Sequence, residues 1–492
     1  MRARINPPAR RCVGAGLLRA RAATQGTVIQ SIKLPTSARD WVLLGREHRA
    51  AQRMAEAITA FAEAERLAPA DSVIGFGHAQ LRYECGLASA ERFAALAQGA
   101  PANLMITAAH ATALAAEGEP ARAEDLLSAA LAIHPEWTDG HKVLASLRWT
   151  SGAAPDRFAD HYAAACAAQP DNRALRLAWF HTMALIKDWA AAQRIIADGE
   201  AATGTHAAYT LAKLFIASES GDDARAEKLF TQTSTLSDPG LELCRIRYGV
   251  RVGRYAEAEA AALRLLQTPY AANAWPYLSL IWRLRGNARA EWLDAPASTI
   301  KHYDLDFTEA EIAELATLLR SLHTTRAPYL DQSVRGGTQT NQPLFFRQEP
   351  IIQAAKAKIE AAVSTYVNTL PTLDRDHPLS AAPREVIRFA GSWSVRLKPG
   401  GFHVAHTHPM GAISSSFYVA LPTPEQRGAP RAGWISFGTP PPELGHSLDH
   451  YTQIEPKVGR LVLFPSTMWH ATEPFTDGER LVIAFDVARA AT

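Results

Sequence analysis

Residues 400–422, GGFHVAHTHPMGAISSSFYVALP, decide how the C-terminal part of the chain is read. Aliphatic and aromatic residues alternate there with polar ones, and Gly or Pro closes each run. A half-buried antiparallel strand has this texture, because side chains alternate across it and the turns need Gly and Pro. Short runs of the same kind lie on both sides. VIRFAGSWSVRL (386–397) stands upstream; WISF (434–437), GRLVLF (459–464) and RLVIAF (480–485) follow. Short strands punctuated this way imply an antiparallel barrel or jelly roll beyond Pro383.

His406 and His408 flank Thr407 on the predicted strand 402–408. Period two puts the two imidazoles on one face and Thr407 on the other. His470, just after the run 459–464, brings a third nitrogen toward the same side. Imidazole suits Fe, Zn, Cu and Ni alike, so ligand type does not name the metal. By the same parity His403 falls on the opposite face and is excluded. Arg480 opens the last strand, ten residues past His470. A guanidinium fork there is suited to a bidentate grip on a carboxylate. Tyr418, on the strand after the histidine pair, offers a phenol to the same group. Trp393 and Trp469 read as packing, and Arg335 as either a loop-capping charge or a lid contact.

Upstream the texture changes. From Arg39 to about Asp294 the sequence is rich in Ala and Leu, and Pro69, Pro101, Pro135 and Pro170 fall 32, 34 and 35 residues apart. That is the tetratricopeptide period. The unit ending at Pro69 carries Trp41, Leu44, Gly45, Ala57, Phe61 and Ala64, with small residues where two helices touch and large ones in the seam. Later units keep the second-helix pattern, as in ARAEKLF (224–230) and RYAEAEAAALRLL (254–266). Seven or eight units are expected. No repeat buries its face alone, so they stack into a superhelix whose groove takes a protein or peptide partner.

Between the halves, Thr308-x-x-Glu311 is a capping box, and Ile312, Leu315, Leu319 and Leu322 form one stripe, so a helix is predicted. A second helix opens at Pro350 and runs to about Leu370. DQSVRGGTQT (331–340) is too polar and Gly-rich for either element and reads as a loop. The expected division is a disordered or targeting-like tail at 1–38, a repeat solenoid at 39–294, a connecting helical region at 295–382 and a β domain at 383–492.

The motifs from HTHP through the Ser-rich aromatic strand to FPSTMWH and GERLVIAFDV resemble a 2-oxoglutarate–Fe(II) oxygenase family, over Arg388–Val487. The segment QSVRGGTQT and the helical repeats look like the repeat-bearing members of that family. The resemblance implies a double-stranded β-helix that uses Fe(II), 2-oxoglutarate and O2. It implies His406, His408 and His470 at the metal, with Arg480 and Tyr418 at the co-substrate. One residue departs from the wider pattern: His408 stands where an aspartate or glutamate is usual. Either three histidines bind the iron, or a water or another acid completes the set. A cupin fits Gly400-x5-His406-x-His408, but its glutamate is missing, since Ala412 and Ile413 occupy those places. A scaffold without activity is the reading from another class.

Composition narrows the field. A net charge of +2 and no basic block downstream argue against nucleic acid. No apolar run reaches the ~18 residues of a membrane helix. Cys12, Cys85, Cys166 and Cys244 lie far apart, which fits neither a zinc ribbon nor a disulfide framework and favours a reducing, cytoplasmic setting. Arg2, Arg4, Arg10, Arg11, Arg19 and Arg21 precede the first acidic residue, Asp40, which gives the N-terminus its targeting-like look.

Overall fold

A computed structural model describes residues 35–370, 376–382 and 386–489, except 235 and 237. Most of the tail read at 1–38 lies outside the described residues. Among the described residues, sixteen helices between Ala38 and Asp294 form eight consecutive pairs, from Ala38–Ala50 with Met54–Leu67 to Ala271–Leu284 with Arg289–Asp294. The periodic prolines each follow the second helix of a pair by one turn residue, as Pro69 follows Leu67 and Ala68. Proline cannot continue a helix, so the period of the sequence is the period of the fold. Gly45 and Gly77 press on opposite edges of the Phe61 ring; a Cβ on either would stand 2.6 Å from it. None of the described helices is long and apolar enough to cross a membrane.

The β region is two antiparallel sheets. The larger has the order β1 (Lys301–Asp304), β7 (Arg460–Pro465), β4 (Gly411–Ala420), β9 (Arg480–Ala488), β3 (Phe389–His403) and β2 (Val334–Gln339). The smaller is β6 (Thr452–Ile454), β5 (Ile435–Phe437) and β8 (His470–Thr472), extended by a bridge from His470 to His406. Together they make the jelly roll. Period two sorts β9 cleanly. Leu481, Ile483, Phe485 and Val487 pack outward against the helices Glu309–Leu322 and Pro350–Thr369. Arg480, Val482, Ala484 and Asp486 face a cavity between the sheets. The capping box at Thr308 and Glu311 is present.

Residues 295–382 contribute more than the helical connection expected. They supply β1 and β2, the two edge strands of the large sheet. Lys301–Asp304 is too short a run to show a strand pattern. Within DQSVRGGTQT, Val334–Gln339 forms a strand despite its glycines because it needs them. A Cβ on Gly336 (φ +66°) would sit 2.9 Å from Gly401 Cα, and one on Gly337 would sit 2.5 Å from the Arg396 carbonyl oxygen. The register with β3 shifts at this point, between Arg335 and Gly337. Such a bulge is where Gly belongs in a strand. Arg335 caps its own turn, donating to the carbonyls of Gln332 and Val334 at 2.8 Å.

The solenoid embraces the jelly roll. Contacts come mostly from the first helix of successive pairs or from the turn after it, and at the last pair also from the second helix. Gln52 exchanges two hydrogen bonds with the Phe389 backbone, and the Trp149 indole donates to the Pro328 carbonyl at 3.0 Å. Gln342 donates to the Tyr83 carbonyl, and Lys187 pairs with Glu443. At the last repeat, Trp469 donates to the Pro276 carbonyl at 3.3 Å, and Tyr451 to buried Asp294 at 2.5 Å. We propose a boundary between Asp294 and Ile300. A chain ending at Asp294 is expected to be almost wholly helical by circular dichroism, because repeats draw their core from neighbours. A strong strand signal would move the boundary.

Candidate metal centre

His406 and His408 do not sit on the regular strand expected for them. β3 ends at His403, the chain bends at Ala405, and His406 makes only a bridge with His470. Each backbone N–H of that bridge donates to the other's carbonyl at 3.1 Å. The bend resets the alternation. His406 and His408 still meet, with ring centres 5.0 Å apart, while His470 lies 4.1 Å from His406 and 5.1 Å from His408. One nitrogen from each of the three lies within 4.8 Å of the others. The bend also brings in His403, which strand parity excludes. It stacks on His406 at 5.6 Å and lines the same cavity.

Hydrogen bonds fix which nitrogens are free. His406 Nδ1 lies 2.8 Å from the Val404 carbonyl, and His470 Nδ1 lies 3.1 Å from the Met468 carbonyl. A carbonyl only accepts, so Nδ1 carries the proton in both rings and Nε2 keeps its lone pair. His408 Nδ1 reaches both oxygens of Asp486, at 2.8 and 2.9 Å. Ser414 donates to the same carboxylate at 2.6 Å. Burial, and then the neighbouring His408, push His406 down to about 3. Burial and His406 hold His470 well below its ordinary value. Neutral imidazoles with one nitrogen bound to an acceptor and the other bare are what a metal needs. Trp393 covers His408, its ring stacked at 5.6 Å and 22°.

Arg480 is 1% exposed and lines this cavity of about 450 Å³. No carboxylate pairs with it among the described residues, and its Nε has no hydrogen-bond partner. Its guanidinium carbon lies 5.0 Å over the Tyr418 ring. Tyr418 is fully buried beneath Arg480, is not among the cavity-lining residues, and its hydroxyl is also unpartnered. A cation this deep without a counter-ion is costly.

Asp486 and Ser414 escape the sequence reading. A signal for the first is available: Asp486 shares Arg480's parity on β9. Replacing Asp486 by Asn is expected to weaken metal binding about tenfold to a hundredfold, the usual effect of losing a residue that orients a ligand. Calorimetric titration with Mn(II) checks this; unchanged affinity would show that Asp486 does not orient His408.

Residues 391–486 match the family model described as "Putative 2OG-Fe(II) oxygenase". Over that stretch the chain is thus similar to a 2-oxoglutarate–Fe(II) oxygenase family. Similar solved structures fall into two groups. A tetratricopeptide repeat protein from Parabacteroides merdae is 13% identical, with 50% of this chain and 98% of that one covered and a TM-score of 0.33. A prolyl-4-hydroxylase from Pseudomonas putida is 16% identical, with 39% and 94% covered and a TM-score of 0.27. A prolyl hydroxylase from Trichoplax adhaerens, solved with a hypoxia inducible factor oxygen degradation domain peptide fragment, is 12% identical, with 42% and 93% covered and a TM-score of 0.28. No functionally curated protein matches the chain.

Proposed function

We propose that this protein is an Fe(II)- and 2-oxoglutarate-dependent dioxygenase that hydroxylates a polypeptide in the cytoplasm. The observation that carries the reading is the pairing of two unmet needs in one cavity. Three imidazoles have their Nδ1 atoms committed and one nitrogen each to offer. A buried guanidinium there has no anion among the described residues. A metal and a dicarboxylate answer both. Iron held by His406, His408 and His470 would supply oxidative decarboxylation of 2-oxoglutarate coupled to attack on a C–H bond, with O2 as the oxidant.

In this reading His406, His408 and His470 hold the metal, and Asp486 restores through His408 the negative charge that a carboxylate ligand supplies in related sites. Arg480 grips the distal carboxylate with its fork. Tyr418 supports the guanidinium from below, its ring 5.0 Å from the guanidinium carbon. A cavity of about 450 Å³ suits such a co-substrate.

The route for a polypeptide is the seam between solenoid and jelly roll. The metal cavity shares Asp331, Gln332, Gln339 and Trp393 with a second cavity along the seam. That cavity shares Ser146, Tyr329, Thr340 and Asn341 with a third, walled by first helices of earlier repeats. Amides and hydroxyls dominate the shared wall, which suits peptide groups. Succinate formation from 2-oxoglutarate is the deciding measurement. Tightly bound iron with no turnover of 2-oxoglutarate would instead indicate a cupin-type metal protein or an inactive scaffold.

A further inference from the structure

Resting on the reading above, we propose that His403, oriented by Ser333, donates a hydrogen bond from Nε2 to the oxo-acid end of 2-oxoglutarate. Three observations carry this. The His403 ring lies nearly parallel to that of the candidate ligand His406, 16° apart with centres 5.6 Å apart. It lines the cavity together with Arg480 and the three ligand candidates. Its Nδ1 lies 2.9 Å from Ser333 Oγ, whereas its Nε2 has no hydrogen-bond partner among the described residues.

The proton count sets the direction. A neutral imidazole carries one N–H, and the partner of its Nδ1 decides which nitrogen holds it. The Ser333 hydroxyl has no other partner among the described residues and can donate to Nδ1 or accept from it; in the proposed arrangement it donates. That places the ring proton on Nε2, and a carboxylate is the natural acceptor. Both ends of the pair are held rigidly. The His403 backbone N–H donates to Thr472 Oγ1 at 2.9 Å, two residues from His470. Ser333 accepts from Val404 N–H through its carbonyl at 3.1 Å, and the turn beside it is capped by Arg335. The Gly-rich segment 331–340 thereby gains a role, since its bulged strand delivers Ser333 to the site.

The test measures binding in the full-length protein, with Mn(II) as a redox-silent metal. Calorimetry compares 2-oxoglutarate with 2-oxobutyrate, which keeps the oxo acid and lacks the distal carboxylate. His403→Ala is expected to weaken both by about the same factor, tenfold to a hundredfold, the range for a hydrogen bond to a charged group. Mn(II) affinity should not change, and His403→Gln, which retains an N–H donor, should recover part of the loss. Ser333→Ala should fall between. Arg480→Lys should weaken 2-oxoglutarate alone, which separates the two ends. Unchanged affinities in His403→Ala would overturn the proposal, as would a loss confined to 2-oxoglutarate. Loss of Mn(II) would make His403 a ligand and would overturn it too. If the wild-type protein with Mn(II) binds neither acid, the oxygenase reading itself falls.

Discussion

Replacing His406 or His470 by Ala is expected to strip the protein of most of its Fe(II) while leaving the helical repeats folded. Each substitution removes one of three nitrogens that lie within 4.8 Å of one another. The loss should exceed the roughly tenfold to hundredfold expected of a residue that only orients a ligand, so these variants should bind metal more weakly than Asp486→Asn. Folding should survive because the repeats take their cores from one another's helices, as in the cluster around Phe158, Tyr162 and Ile196, away from the metal cavity. Metal content after gel filtration, with circular dichroism as the control, checks both statements. Full iron occupancy in both variants would move the metal elsewhere.

Arg480→Lys should raise the KM for 2-oxoglutarate by about one to two decades, corresponding to about 1.5–3 kcal/mol. The charge stays, so the test isolates geometry: Lys offers a point charge where Arg offers a planar fork. Burial sharpens the effect. Arg480 is 1% exposed, and little water is present to compensate for a mismatched donor. Iron content should hold, because Arg480 is outside the cluster of candidate ligands. Identical succinate curves against 2-oxoglutarate in wild type and variant would make Arg480 a structural cation and place the anchor elsewhere.

Much of this is legible in the residues, and the failures share a cause. Proline spacing reveals the repeats, since a residue that cannot continue a helix marks its end wherever the tertiary fold lies. Alternation reveals β9 and so Arg480. It fails between His403 and His406, where Val404 and Ala405 carry the chain through a bend, and parity holds only while the backbone stays extended. The Gly-rich strand is hidden for a related reason. Propensity counts Gly336 and Gly337 against a strand, while the fold uses them to let β2 approach β3. Ser414 and Ser466 are buried polar residues whose partners are remote in sequence; Ser414 reaches both Ser466 and Asp486. Local patterns carry no information about such pairs.

The embrace of the jelly roll by the solenoid bears on the order in which the chain is made. Repeats depend on contacts close in sequence and can fold as they emerge during synthesis. The jelly roll cannot. β1 at Lys301–Asp304 waits for β7 at Arg460–Pro465, and β3 and β4 both wait for β9, near the end of the described chain. By then every first helix that will touch it is already in place, from Gln52 to Arg283. The slow half of the molecule therefore closes inside a mould cast by the fast half. Its unpaired strands spend their vulnerable interval facing the wall they will finally rest on.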